Sequence, residues 1–240
     1  AIVYDRSNLA SRRWTEYKRA ACRRAGVRLV TLELDATAST EAAAGVVRGL
    51  GADLEVNAIF LQSPLPAEVD AAALTQLVSP CKDVDGLHWE VGSGSNLPAS
   101  ARAVLWVLES NDVQLRDTRA VILAAPDPTF EALATLLSSH GASVRTVSWA
   151  DPAARQVCSQ AGVLVTAAGQ PGLVDDEWLA PGAVVIDCGV LVGGGADGDV
   201  DPAASGMSLL CPARRGLGPV TVAALVWRTA ELAGITLGGS

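Results

Sequence analysis

The sequence predicts an α/β protein made of two doubly wound units with a cleft between them. Three observations predict it. Short apolar runs alternate with helix-like segments along the whole chain, the pattern of a parallel sheet with helices on its faces. The 240 residues suffice for one large or two modest domains. Half of them are hydrophobic and only 18 % are charged, so a sizeable core is available.

Ala1–Tyr4 reads as a short apolar strand and Asp5–Asn8 as a loop. Ser11 is placed as the cap of a helix running to about Ala25, which Gly26 ends. Arg28–Leu34 alternates and is rich in β-formers, a strand. Thr40–Gly49 is a helix and Leu54–Leu61 the next strand. Ala67–Val78 is a helix led by Pro66, whose fixed φ and missing N–H suit a helix start. Glu90–Ala99 is a Gly/Ser/Pro-rich loop, and Ala101–Ser110 a helix leading into the second unit. There, strands are expected at Arg119–Leu123, Ser143–Val147, Val163–Ala167 and Ala183–Cys188. Helices are expected at Pro128–His140 and Pro152–Ala161, a loop at Gly193–Pro202 and a closing helix at Pro219–Ala233. This second alternation is Rossmann-like.

Composition excludes several function classes. The net charge of -8 argues against nucleic acid as a partner, since that needs a basic footprint. No run of apolar residues is long enough for a membrane span, and the apolar start AIVY is too short for a signal peptide. Cys22, Cys81, Cys158, Cys188 and Cys211 are scattered, odd in number and free of a C-x-x-C pair. They read as reduced, buried thiols of a cytoplasmic protein rather than a disulfide frame or a metal site. The heavy use of Ala, Val, Arg and Asp is that of a GC-rich bacterial genome.

Three stretches carry candidate chemistry. Pro80–His88 reads PCKDVDGLH. In extended chain, side chains two apart share a face, so Asp83 and Asp85 are expected to point the same way, with Gly86 turning the chain. Leu61–Pro66 reads LQSPLP, in which an apolar run delivers Gln62 to a double-proline break. Trp14 and Lys18 are four apart in a helical segment and share a face. A lysine on a helix is by itself usually a solvated charge, and spacing alone does not bring these three elements together.

Together these stretches resemble the methylenetetrahydrofolate dehydrogenase/methenyltetrahydrofolate cyclohydrolase family. Its serine, an aromatic three later and a lysine four after that correspond to Ser11, Trp14 and Lys18. Its Q-x-P-L-P corresponds to Gln62–Pro66, its K-D-V-D-G-F/L-H to Lys82–His88, and its G-x-G-P-M-T to Gly216–Thr221, with Val220 replacing the methionine. The order holds over nearly the whole chain. The resemblance implies a tetrahydrofolate derivative as substrate, Lys18 as the catalytic proton mover and Gln62 as its hydrogen-bond partner. It implies Asp85 as the carboxylate that holds the pteridine, Trp14 as the stacking ring, and Pro64, Gly218 and Pro219 as further substrate contacts. Asp83, in the same segment, is a further candidate substrate contact, with a structural role as a cap or as a partner of Lys82 weighed beside it. The resemblance also implies a homodimer. It divides the chain into a folate-type domain, 1–108 with the returning helix 222–240, and a Rossmann-like domain, 109–221.

The resemblance breaks in places. The aromatic before the lysine is normally tyrosine; Trp14 can stack but has no hydroxyl to move a proton. The N-terminal helix of the family and residues between His88 and Pro98 are missing; either the sequence is trimmed or the fold has lost that cover. The family's phosphate loop, G-R-S-x-x-V-G-x-P, falls on Ala124–Ala132, where both glycines, the arginine and the serine are gone. Pro126 and Pro128 remove N–H donors, while Asp127 and Glu131 add charge where a pyrophosphate would sit. Ser148 and Trp149 stand where the family has a His-Ser pair for a 2′-phosphate. Arg214 and Arg215 replace a proline and a glycine of the loop that borders both ligands, and could hold an anion such as a folate tail. No productive NADP site is therefore expected.

The expected function is a tetrahydrofolate-dependent one-carbon enzyme, cyclohydrolase-like or delivering the unit to a second acceptor, with the dehydrogenase activity lost. The alternatives are the ordinary NADP-dependent bifunctional enzyme, a repurposed biosynthetic enzyme, and a pseudoenzyme that binds folate or a partner.

Overall fold

A computed structural model of the chain describes residues 1–89, 96–189 and 198–235, and the backbone of Arg214. The chain divides into two compact units, Ala1–Ala99 with the segment from Val222, and Ser100–Thr221.

The first unit is a three-stranded parallel sheet in the order β2-β1-β3. Strand β1 (Ile2–Asp5) is buried at all four positions, as a central strand must be. Helix α1 (Leu9–Arg24) follows. Its cap is Asn8, whose side-chain oxygen accepts from the Ser11 N–H at 3.0 Å. Ser11, predicted as the cap, instead lies fully buried within the helix. Strand β2 (Thr31–Leu34) leads to α2 (Thr40–Ala52), which buries Ala43, Ala44, Val47 and Leu50 at three-and-four spacing. Strand β3 pairs only over Phe60–Gln62, not from Leu54 as predicted; Leu54 is 93 % exposed. Helix α3 (Ala71–Leu77) starts later than Pro66 suggested, because the Asp70 carboxylate caps the Ala73 N–H at 3.0 Å. Its Leu74 is completely buried with Val3, Val47 and Ile59, a placement that contributes roughly 1.5–3 kcal/mol per side chain.

Helix α4 (Ala99–Ser110) opens onto the second unit, a five-stranded parallel sheet in the order β5-β4-β6-β7-β8. On β4 (Arg119–Ala124), Ala120, Ile122 and Ala124 enter one core, while Val121 and Leu123 enter the other. A strand buried on both faces is the reason this run reads as continuously apolar. Helix α5 (Pro128–Ser139), edge strand β5 (Ser143–Val147), the short α6 (Ala154–Cys158), β6 (Val163–Ala167) and β7 (Ala183–Asp187) follow. Strand β8 (Met207–Cys211) was not predicted. It pairs with β7 through a register shift, and only its terminal Cys211 is fully buried, so no strong apolar pattern marks it.

A π-helical turn, Ala213–Leu217, leads into α7 (Gly218–Leu232). From Val222, α7 belongs to the first unit, where Arg228 donates to the side-chain oxygen of Asn96. Of the two long loops predicted, 90–95 and 193–197 lie outside the described residues. All five cysteines are free, but Cys81 is exposed rather than buried as predicted. Among the described residues no helix is long and apolar enough to cross a membrane.

Candidate active site

Helix α1 turns an unusual stripe inward. Ser11, Thr15, Lys18 and Cys22 are its buried residues, recurring at helical spacing. A polar stripe on the inner face is costly unless its groups find partners. Lys18 finds one: its ammonium donates to Gln62 Oε1, on β3, at 2.7 Å. The Gln62 amide nitrogen in turn donates to the Ser63 carbonyl at 2.6 Å. An ammonium is a donor only and a carbonyl an acceptor only, so these two bonds set which way round the amide lies. The Ser11 hydroxyl also reaches the Gln62 carbonyl, at a long 3.4 Å.

The other neighbours of the amine are rings. Lys18 Nζ lies 4.4 Å from the Phe60 ring centroid and 5.6 Å from that of Trp14. Cation–π attraction gives the ammonium some compensation, but much less than water would. Burial therefore pulls the Lys18 pKa down to about 8, against the pull of the Asp85 charge, which raises it. Among the described residues Asp85 makes no ion pair with Lys18 within 4.0 Å; it acts through space. Asp85 is half-buried. Burial pushes its carboxyl up to about 7, which the Lys18 charge opposes and the Asp83 charge reinforces.

The segment holding Asp85 is laid beside β3. The Ile59 N–H donates to the Lys82 carbonyl at 2.7 Å, and Ile59 and Asp83 form a single parallel bridge. The chain turns immediately afterwards, so the extended geometry that would have aligned Asp83 with Asp85 ends at Asp83. Asp83 is completely buried, and its Oδ2 accepts from the His88 N–H at 2.9 Å and lies 3.3 Å from His88 Nδ1. Among the described residues its other oxygen has no partner. The expected pairing of Asp83 with Lys82 does not occur. The Lys82 ammonium donates instead to the carbonyls of Leu50, Gly51 and Asp53, at 3.1, 2.8 and 2.7 Å, closing the end of α2. Gly86 has φ +73°, and a Cβ there would come within 2.4 Å of the Asn96 carbonyl oxygen. Only glycine allows this turn.

The structure thus brings Lys18, Gln62, Trp14 and Asp85 together in the first unit. Pro64 follows Gln62 on an exposed turn after a cis peptide bond. Gly218 and Pro219 start α7, and Arg215, exposed at φ +60°, sits on the π-helical turn of the second unit with the backbone of Arg214. Sequence reasoning missed Phe60. The signal was available: an aromatic two residues before Gln62, on the same strand face. It also missed the part played by Lys82, which nothing short of the fold reveals.

In the second unit, the turn between β4 and α5 is built by Asp127. Its Oδ1 accepts from the Thr129 N–H at 2.8 Å, and Pro128 at the first helical position has no N–H. One donor of that helix start is spent on the protein's own carboxylate.

Residues 1–85 match the family model described as tetrahydrofolate dehydrogenase/cyclohydrolase, catalytic domain. Residues 98–236 match its companion, the NAD(P)-binding domain. The chain belongs to the tetrahydrofolate dehydrogenase/cyclohydrolase family. Among its relatives is bifunctional protein FolD 2 of Bordetella pertussis, 35 % identical over 97 % of this chain and 86 % of that protein. Another is bifunctional protein FolD 2 of Ectopseudomonas mendocina, 33 % identical over 95 % of this chain and 80 % of that protein. Among solved structures, the Trypanosoma brucei methylenetetrahydrofolate dehydrogenase-cyclohydrolase, complexed with NADP cofactor and inhibitor, superimposes with a TM-score of 0.87 at 30 % identity. It is matched over 96 % of this chain and 84 % of that one. The second unit is thus an NAD(P)-binding domain of this family, Rossmann-like as predicted.

Proposed function

We propose that this family member works on one-carbon units carried by tetrahydrofolate, and that opening of the methenyl bridge by water is the reaction its geometry supports best. The observation that carries the reading is the buried Lys18 amine, held by the neutral Gln62 and titrating near 8. An amine with that pKa exchanges protons close to neutral pH, where an ordinary lysine is locked as the cation. The neutral amine takes a proton from water as its oxygen bonds to the methenyl carbon. The resulting ammonium returns that proton to the ring nitrogen as the carbon–nitrogen bond breaks, while the hydroxyl proton leaves to solvent and a formyl group remains. Gln62 keeps the amine pointed at the reacting carbon. Asp85 accepts N–H bonds from the pteridine, and Trp14 stacks on it. Pro64, Gly218, Pro219, Arg214 and Arg215 remain candidates for further substrate contacts.

The comparisons support a dehydrogenase activity beside this one: the relatives carry the name bifunctional, and the second unit belongs to an NAD(P)-binding family. One observation favours a second reading, in which the hydrolytic half alone persists. The helix start that would face the pyrophosphate is capped by Asp127 and led by Pro128, and the turn before it has no glycine. These residues do not suit a phosphate.

The test has two arms. Methenyl-tetrahydrofolate hydrolysis is measured with no nucleotide present, in wild type and Lys18→Met; a loss of about 10²–10⁴-fold is expected. Wild-type rates from the variant would remove the reading. Methylene-tetrahydrofolate oxidation is then measured with NADP; robust turnover would establish the bifunctional enzyme and exclude the second reading.

A further inference from the structure

The sheet of the second unit changes character along one of its faces. At the carboxyl ends of β4 and β5, Leu123 and Val147 are buried with Ala154 and Cys158 of α6. At the amino ends the same face carries Arg119, Ser143 and Arg145. Arg119 pairs with Ser143 and Val121 with Arg145 in the parallel register. Positions two apart on a strand share a face, so both guanidiniums rise from one side of adjacent strands. Positions under a crossover helix in a doubly wound sheet are ordinarily apolar. Here the helix is only five residues long, and it leaves this end uncovered.

The result is an open cavity of about 430 Å³. The two strands line one side, and Gln156, Val157 and Gln160 line the other. Among the described residues no carboxylate lines it, in a chain with 26 acidic and 18 basic residues. Arg119 donates to Gln160 Oε1 at 2.7 Å, a neutral acceptor. Among the described residues neither arginine makes an ion pair, and the Arg145 side chain makes no hydrogen bond. Inward-pointing charge can also protect an edge strand from pairing with another chain, and β5 is an edge. That role needs neither a second arginine on the inner strand β4 nor a cavity between them.

We propose that this cavity binds a small organic anion carrying two or more acidic oxygens, phosphate or carboxylate. Arg119 and Arg145 clamp its charge with forked N–H donors, while Ser143 and the Gln156 and Gln160 amides bond its neutral atoms. The cavity lies at the amino ends of the strands. Doubly wound sheets take nucleotides beyond the carboxyl ends, so this site is separate from the dinucleotide crevice.

The full chain is titrated calorimetrically with pyrophosphate and, separately, with citrate, in wild type, Arg145→Gln and Arg119→Gln. Both arginines are exposed, so the variants are expected to fold, and their thermal midpoints check this. Saturable binding by either anion, weakened at least about tenfold in each variant, is expected, the loss of one charge-assisted contact. Binding of pyrophosphate alone identifies a phosphorylated ligand, and of citrate alone a polycarboxylate. No binding of either anion, or equal binding in wild type and variants, overturns the proposal.

Discussion

The Lys18 ammonium and the Gln62 side-chain oxygen meet at 2.7 Å across 44 residues of sequence, and the second partner of the Gln62 amide is a backbone carbonyl. The lysine is thereby oriented by a neutral group, with the Asp85 charge acting only through space. That choice decides its protonation. A carboxylate in place of the amide would stabilise the ammonium; the amide leaves the pKa to burial.

Gln62→Glu tests this directly. A carboxylate at contact distance should raise the Lys18 pKa by about 1–3 units. The pH at which methenyl hydrolysis reaches half its maximum should move upward accordingly, with the rate at neutral pH falling. An unmoved profile would mean that Lys18 is not the group that titrates.

The same amine should cost stability. Its folded pKa of about 8 lies below the ordinary 10.5, so folding disfavours the ammonium. The penalty is full below pH 8, fades between pH 8 and 10.5 and is absent above. Lys18→Met should therefore unfold at higher urea than wild type at pH 7, by on the order of 1–3 kcal/mol. The advantage should shrink as the pH rises from 8 and be gone above 10.5. A destabilised variant at pH 7 would contradict the buried, uncompensated amine.

The neighbouring lysine behaves differently, and it shows where reading a sequence stops. The grouping of Lys18, Gln62, Trp14 and Asp85 was legible only through the likeness of their short motifs to a family, because spacing alone does not bring their elements together. Most of the two parallel sheets was legible because the inner strands β1, β4, β6 and β7 are nearly continuous apolar runs. Lys82 stands in the same segment as Asp85 and looks like site chemistry, yet its three acceptors are carbonyls at the end of α2, some thirty residues away. Asp83 likewise found His88 rather than Lys82, because the chain turns after it. Which residues a side chain meets after a turn is tertiary information that periodicity does not hold. Strand β8 and the late start of α3 were missed for a similar reason: one strand is weakly apolar, and one cap competes with a proline.

Lys82→Met should accordingly act on folding rather than on the proton. Losing three charge-assisted bonds at a helix end, on a partly exposed side chain, should cost about 1–2 kcal/mol. Urea unfolding measures the cost. The pH profile of hydrolysis should stay where it is in wild type, which separates a structural lysine from a catalytic one.

Gly86→Ala should be worse. A non-glycine residue at φ +73° is strained by about 1–3 kcal/mol, and the new methyl would also strike the Asn96 and Pro98 backbone. Asp85 is the residue before this turn, so the substitution should weaken folate binding as well as the fold. Midpoints of urea unfolding and tetrahydrofolate titration report the two effects separately.

Asp127 sets the last expectation. Its carboxylate caps α5 at Thr129, at the helix start where a dinucleotide phosphate would be received. Serine caps a helix nearly as well through its hydroxyl and carries no charge. Asp127→Ser should therefore leave stability within about 0.5 kcal/mol, as neutral surface exchanges do. Removing one negative charge near a pyrophosphate is worth about 1 kcal/mol in a wet site, so NADP should bind about fivefold tighter. Fluorescence titration of both proteins with NADPH reads this out. A gain in the variant identifies the carboxylate as the group that opposes the cofactor. Equal affinity would place the phosphates away from this helix start and remove the argument for a lost dehydrogenase activity.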